Sequence, residues 1–218
     1  MFDAKLINSC SLDLNTWEFQ FKTCYYSKKL LKELSSVNST LNKEININKV
    51  KKAIFFCKKY HSFQMRQSGE PYYSHPLEVA GMVADHCFKT GTLVNTDLLV
   101  TSILHDVLED TVLTKEMIAY IFDPKIADNV EDLTRIKEGQ KISSLNMVKI
   151  LIQQKKYDIL LIKYFDRMHN MQTIKVKSVD KIKQITNETL EIFFNLGDKL
   201  NIEPEKQNLL MHLCGMKH

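Results

Sequence analysis

The chain has 218 residues and a formal net charge of +4, with 44% hydrophobic and 26% charged residues. This composition excludes wholesale disorder, and a chain of this length buries enough surface to fold without a disulfide or a structural metal. Six glycines and four prolines are too few for a turn-rich β fold and favour an all-α protein. The small charge and the scattered lysines argue against nucleic-acid binding.

The five cysteines show neither a CxxC pair nor a metal-ligand spacing, so we expect free thiols in a reducing cytoplasm. Residues 1–10 lack the apolar core of a signal peptide. No run approaches the ~18 apolar residues of a membrane-spanning helix. We therefore expect a cytoplasmic protein that does not cross a membrane, and the sequence leaves its oligomeric state open.

Residues 1–45 differ in texture from the rest of the chain, being rich in Asn, Ser, Lys and Leu. They predict a partly helical N-terminal extension, with one helix near 17–34 and a polar linker over 35–42. From residue 46 onward helical patterns are steady, and Thr114 and Asp123 are expected to cap two of the helices. The expected helices are 46–65, 76–89, 95–110, 115–122, 125–137, 143–154, 157–174, 179–198 and 204–213. The predicted units are the extension (1–45), a helical domain (46–200) and a C-terminal helix and tail (201–218).

The first group of candidate functional residues lies at the end of the helix predicted over 95–110. His105 and Glu109 are four residues apart on that helix, and Asp106 and Asp110 are also four apart. One helix face is therefore expected to carry an imidazole and three carboxylates. Crowded carboxylates beside a buried segment repel one another unless a cation is bound. Mixed nitrogen and oxygen ligands suit Mn²⁺, Zn²⁺ or Fe²⁺, whereas a solvated acidic helix end is the alternative interpretation.

The second group lies in the segment 157–174, which is apolar nearly all round and is expected in the middle of a bundle. One face of this helix nevertheless carries Asp166, His169, Asn170 and Thr173. Charge in a central helix is costly unless it is paired or metal-bound. His75, which precedes Pro76, completes a plausible set of four metal ligands, with the others drawn from these two groups.

Four blocks of the sequence resemble the hydrolase domain of the RelA/SpoT alarmone proteins, a branch of the HD hydrolase superfamily. The blocks are RQSGEPYYSHPLEVA (66–80), LHDVLEDT (104–111), DRMHNMQT (166–173) and ETLEI (188–192), spread over about residues 46–200. The resemblance implies an all-α HD-domain bundle around a central buried metal site. Because the chain ends soon after the last block, we expect a small stand-alone alarmone hydrolase without a synthetase domain.

The resemblance also implies a role for individual residues. The expected ligands of Mn²⁺ are His75, His105, Asp106 and Asp166. The expected catalytic acids are Glu109 and Asp110. The residues expected to bind the guanine nucleotide are Arg66, Asn170 and Thr173.

The implied reaction is hydrolysis of the 3′-pyrophosphate of guanosine 3′,5′-bis(diphosphate), ppGpp, to GDP and pyrophosphate. This chain has Gln67 where the family pattern has a lysine, so one cation near the substrate phosphates is missing. Two alternatives are an HD phosphohydrolase acting on another nucleotide such as NADPH, and a non-catalytic alarmone-binding remnant. The remaining histidines His61 and His86 are expected at the surface or on helix flanks, without a ligand role.

Overall fold

The computed structural model describes residues 4–38, 44–92, 94–137 and 140–216. Its helices are α1 (Ala4–Gln20), α2 (Tyr25–Asn38), α3 (Ile47–Tyr60), α4 (Ser74–Thr90), α5 (Thr96–Leu104), α6 (Val107–Asp110), α7 (Lys115–Ile121), α8 (Pro124–Leu133), α9 (Ser144–Gln153), α10 (Tyr157–Gln172), α11 (Val179–Lys199) and α12 (Pro204–Leu213). Two-residue strands, β1 (Ile136–Lys137) and β2 (Gln140–Lys141), form a short antiparallel ladder. A 3₁₀ turn, Ile174–Val176, follows α10. The prediction of an all-α protein is confirmed.

Polar side chains begin several of these helices at the places the sequence indicates. Thr114 accepts a hydrogen bond from the backbone N–H of Met117, and Asp123 accepts one from Ile126. Such caps satisfy N–H groups that have no partner inside the helix. Both predicted caps are therefore confirmed.

Helix α10 runs through the centre of the bundle and contacts α4, α5, α8, α9, α11 and α12. Its buried apolar side chains include Leu160, Ile162, Phe165 and Met168. A helix that is apolar nearly all round has to be covered on every side, which explains its central position. The predicted placement of this segment is confirmed, and it brings Asp166 into the interior.

The N-terminal segment forms two helices, not the single helix predicted near 17–34. The side chain of Ser27 accepts a hydrogen bond from the backbone N–H of Cys24 (2.7 Å) and donates one to its carbonyl oxygen (3.1 Å), so a new helix starts there. Buried Trp17 and Leu34 join the same hydrophobic core as the later helices. Part of the linker predicted over 35–42 is helical, since α2 extends to Asn38, and residues 39–43 lie outside the described part of the chain.

Three predicted helix boundaries also differ from the structure. The first helix of the domain ends at Tyr60 instead of residue 65, and α8 ends at Leu133 instead of residue 137. The helix predicted over 95–110 is interrupted at His105 and Asp106, between α5 and α6. Across the described ranges, no helix combines the length and apolar character needed to cross a membrane.

Candidate functional site

Four polar side chains meet in the interior, although they come from three separate parts of the chain. His75 lies in the first turn of α4, His105 and Asp106 lie at the α5–α6 junction, and Asp166 lies in the middle of α10. The Oδ1 atom of Asp166 is 3.1 Å from His75 Nε2 and 3.8 Å from His105 Nε2. Asp106 approaches the same two nitrogens, at 3.7 Å from His75 Nε2 and 3.2 Å from His105 Nε2. The structure therefore brings together the four residues predicted as ligands.

The hydrogen bonds of the two imidazoles leave their Nε2 atoms facing this cluster. The Nδ1 atom of His105 lies 2.8 Å from the carbonyl oxygen of Ser102, so Nδ1 carries the proton and donates it. The Nε2 atom of His105 is buried, and within the described residues it has no hydrogen-bond partner. The Nδ1 atom of His75 pairs with Nδ1 of His169 at 2.8 Å. This orientation fits metal ligation, because a ligating histidine commonly uses its other ring nitrogen for a hydrogen bond.

The charges around the cluster favour a cation. Burial by itself lowers the pKa of His105, but the nearby carboxylates of Asp106 and Asp166 outweigh it and raise that pKa to about 9. Burial raises the pKa of Asp166, yet Lys163 and His75 hold it well below its ordinary value. His75, His105 and Asp106 offer ligand atoms close enough together to hold a divalent metal, and Asp166 contacts both imidazoles. Nitrogen and oxygen donors in this combination are ones that transition-metal ions accept.

The two acids next to the cluster are held by different partners. The hydroxyl of Tyr72 donates to Asp110 Oδ2 (2.6 Å) and to Asp106 Oδ2 (2.9 Å), which keeps Asp110 beside the cluster. Glu109 turns toward the segment just before β1, where its Oε1 accepts a hydrogen bond from the backbone N–H of Arg135. The three carboxylates therefore do not share one helix face, because the helix is interrupted at Asp106.

The three residues predicted to bind nucleotide form a hydrogen-bonded group beside the cluster. The guanidinium of Arg66 donates from Nη2 to Asn170 Oδ1 (3.0 Å) and to Thr173 Oγ1 (3.2 Å). Asn170 in turn donates from Nδ2 to Asp166 Oδ1 (2.6 Å). Arg66 and Thr173 line an open cleft of about 290 Å³ that also includes His169. The group of Arg66, Asn170 and Thr173 is thus joined to the His and Asp cluster through the single carboxylate of Asp166.

Several residues that shape the site were not singled out from the sequence. Tyr72 bridges two carboxylates, and Lys163 donates from Nζ to Asp166 Oδ2 at 2.6 Å with only 12% of its side chain exposed. Tyr72 stands three residues before His75, inside one of the matching blocks, and Lys163 stands three residues before Asp166 on the central helix. A cation at that spacing in an apolar helix was a signal for an ion pair.

Two other histidines, expected at the surface or on helix flanks, are both buried, although His61 does lie at the C-terminal cap of α3. His61 is buried, stacks on Tyr72 with ring centroids 4.7 Å apart, and pairs with Gln64 Oε1 at 2.6 Å. His86 is also buried, and its Nδ1 lies 2.7 Å from Glu203 Oε2. Neither imidazole belongs to the group of His75, His105 and Asp106 whose ligand atoms lie together.

The family model described as "HD domain" matches residues 53–203, which is more than half of the chain. The chain therefore belongs to the HD-domain family. Its relatives are RelA/SpoT proteins. A protein named "GTP pyrophosphokinase rsh" from Brucella ovis is 33% identical over 172 residues, which is 76% of this chain and 22% of that protein. The "Bifunctional (p)ppGpp synthase/hydrolase SpoT" of Escherichia coli K12 is 31% identical over 188 residues, 83% of this chain and 26% of that protein.

A solved structure shares the fold. It is described as "A metazoan ortholog of SpoT hydrolyzes ppGpp and plays a role in starvation responses", and it matches with a TM-score of 0.58 at 19% sequence identity. The match covers 76% of this chain and 93% of that chain. This chain spans only about a fifth to a quarter of the length of the two curated relatives above.

Proposed function

We propose that this chain hydrolyses the 3′-pyrophosphate of ppGpp, releasing GDP and pyrophosphate, with Mn²⁺ as its metal. The observation that carries this proposal is the convergence of His75, His105, Asp106 and Asp166 directly beside the hydrogen-bonded group of Arg66, Asn170 and Thr173. A cluster able to hold a cation, next to an open cleft for the substrate, is an arrangement suited to phosphoester hydrolysis. The metazoan protein of related structure is described as hydrolysing ppGpp, which is consistent with this reaction.

A divalent ion held by these four side chains would lower the pKa of a water molecule and supply hydroxide at neutral pH. Glu109 is anchored through Oε1 to the backbone of Arg135, and its second oxygen would take the proton of the attacking water. Asp110, held by the Tyr72 hydroxyl, would donate a proton to the 3′-oxygen as the bond from that oxygen to phosphorus breaks. Positioned acids of this kind typically contribute ~10²–10⁴-fold to a rate.

Substrate recognition is assigned to the cleft beside α10. Arg66 presents a planar guanidinium, which stacks on a base or pairs with a phosphate. Asn170 offers an amide and Thr173 a hydroxyl for hydrogen bonds to the guanosine end of the substrate. Since Asn170 also holds Asp166, correct seating of the nucleotide is coupled to the geometry of the metal cluster.

The proposal is for hydrolysis, although some relatives are named for pyrophosphate transfer. The match covers only 22% of the Brucella protein named for that activity. In this chain, the HD-domain match extends over residues 53–203. A buried His and Asp cluster with adjacent carboxylates is suited to activating water. A cytoplasmic location belongs to the same proposal.

The test begins by removing bound metal from the purified chain with a chelator. The chain is then incubated with ppGpp in parallel reactions that contain Mn²⁺, Mg²⁺ or Zn²⁺. We expect equimolar GDP and pyrophosphate, measured by ion-exchange chromatography, with the fastest release in Mn²⁺. The variant Asp106→Ala should release neither product. NADPH is the comparison substrate.

Two results would contradict the proposal. Phosphate release from NADPH without cleavage of ppGpp would assign the site to another nucleotide. Tight binding of ppGpp without turnover in any of the ions would mean that the chain senses the alarmone instead of hydrolysing it.

A further inference from the structure

The N-terminal helix α2 reaches the cleft that contains Arg66. It packs against α4, and Lys29 Nζ lies 2.7 Å from Glu78 Oε2 across that contact. The cleft is lined on the α10 side by Thr173 and His169 and on the α2 side by Tyr26. Tyr26 lies 27 positions before the first residue matched by the HD-domain family model, at residue 53. This wall of the cleft is therefore built by the N-terminal segment.

The lining of the cleft is suited to a base more than to phosphates. Tyr26 supplies an aromatic ring and Met82 a polarisable thioether, both of which pack against flat ring systems. Two carboxylates, Glu70 and Glu78, also line it; Glu78 is paired with Lys29, and Glu70 would repel a phosphate group. The same carboxylates accept hydrogen bonds, which the N–H groups of a purine edge can donate. A volume of about 290 Å³ lies just below the ~300–1,000 Å³ range of small-molecule sites, which suits a base more than a whole nucleotide.

Tyr26 is held in place from both sides. It is half-buried and packs against the hydrophobic core, and its ring meets that of Tyr25 edge to face with centroids 5.3 Å apart. A ring that is already ordered loses little conformational entropy when a ligand stacks on it. Tyr26 is therefore preorganised as a stacking surface.

We infer that Tyr26 contacts the purine of the nucleotide and that the N-terminal segment is part of the substrate site. This inference rests on the proposed function for the identity of the substrate. Stacking is present in the bound substrate and in the transition state alike, so it contributes uniform binding. Loss of the ring should therefore raise KM and leave kcat nearly unchanged.

The experiment uses the full chain with Tyr26→Leu, which keeps apolar packing and removes the flat ring. Base–aromatic stacking is worth enough that we expect KM for ppGpp to rise at least about fivefold, with kcat within about twofold. Tyr26→Phe keeps the ring and should restore most of the lost affinity. The matched control is Phe19→Ala, which removes an aromatic ring from the same segment at a position that is 91% exposed. That control should leave KM unchanged.

A binding measurement separates this inference from the proposed function. GDP titrated into each protein by calorimetry should bind Tyr26→Leu at least about fivefold more weakly than the unmodified chain. If the unmodified chain binds GDP but does not cleave ppGpp, the proposed function fails and the GDP titration still decides the role of Tyr26. Unchanged KM and unchanged GDP affinity in Tyr26→Leu, or absence of GDP binding to the unmodified chain, would overturn the inference.

Discussion

The α5–α6 junction and the central helix α10 both deliver carboxylates to the same cluster, but they hold them in different ways. On α10, Asp166 is satisfied by its own helix, since Lys163 and Asn170 lie three residues before and four residues after it. At the junction, Asp106 and Asp110 depend on Tyr72, which is more than thirty residues away. One carboxylate is placed by helical periodicity, and the others are placed by tertiary contacts.

This difference suggests a division of work within the site. A carboxylate supported by its own helix stays in place as long as that helix is folded. A carboxylate supported by a distant residue changes position when that residue moves or is substituted. We expect the junction to be the more sensitive half of the site, and the predictions below test that expectation.

The largest effect is expected for Asp106→Ala, which removes a proposed ligand from the junction. Mn²⁺ binding, measured by titration calorimetry, should be abolished together with ppGpp hydrolysis. The control is Asp128→Ala, which breaks only the solvent-exposed ion pair with Lys115 and should retain both. Retention of Mn²⁺ binding by Asp106→Ala would remove this residue from the ligand set.

The next effect separates chemistry from metal binding. Glu109→Gln should lower kcat by about 10²–10⁴-fold, because it removes a positioned acid–base group. Mn²⁺ affinity of the same variant should stay close to that of the unmodified chain, since Glu109 faces Arg135 and not the two imidazoles. Equal loss of Mn²⁺ in Glu109→Gln and Asp106→Ala would make Glu109 a ligand.

A smaller loss is expected for Tyr72→Phe, which keeps the ring and removes the hydroxyl shared by Asp106 and Asp110. A hydrogen bond to a charged group contributes roughly 1.5–3 kcal/mol, so kcat/KM should fall by about tenfold to a hundredfold. The neighbouring Tyr73→Phe is the matched control, and it should have little effect. If both variants behave alike, the support given by Tyr72 is not specific to its hydroxyl.

The smallest effect concerns Gln67, the departure from the family pattern. This side chain is exposed in the turn after Arg66, so a lysine can be accommodated there without repacking. Gln67→Lys should lower KM for ppGpp several-fold to about tenfold, with a smaller change in kcat, because one contact to a phosphate is worth about 1–2 kcal/mol. Steady-state kinetics at several salt concentrations would measure it. An unchanged KM would indicate that another cation, such as the exposed Lys175, already serves the phosphates, since Lys163 is paired with Asp166.

Much of the His and Asp cluster could be predicted from the sequence because its residue types are unusual where they occur. An aspartate in a segment as apolar as 157–174 requires a compensating partner, and a histidine next to several carboxylates indicates a cation. The outcome for the junction was different. Periodicity predicted one continuous helix over 95–110, whereas the chain bends at His105 and Asp106 and sends Glu109 toward Arg135.

The composition and the helical periodicity by themselves determined the all-α class, the central position of α10 and the cap residues such as Asp123. These features depend on hydrogen bonds and apolar spacing over three or four residues, which a sequence displays directly. Only the tertiary structure decided that Tyr72 joins two carboxylates and that Tyr26 lines the cleft beside Arg66. The reason is that these contacts join residues far apart in the chain, and their geometry follows from how whole helices pack against one another.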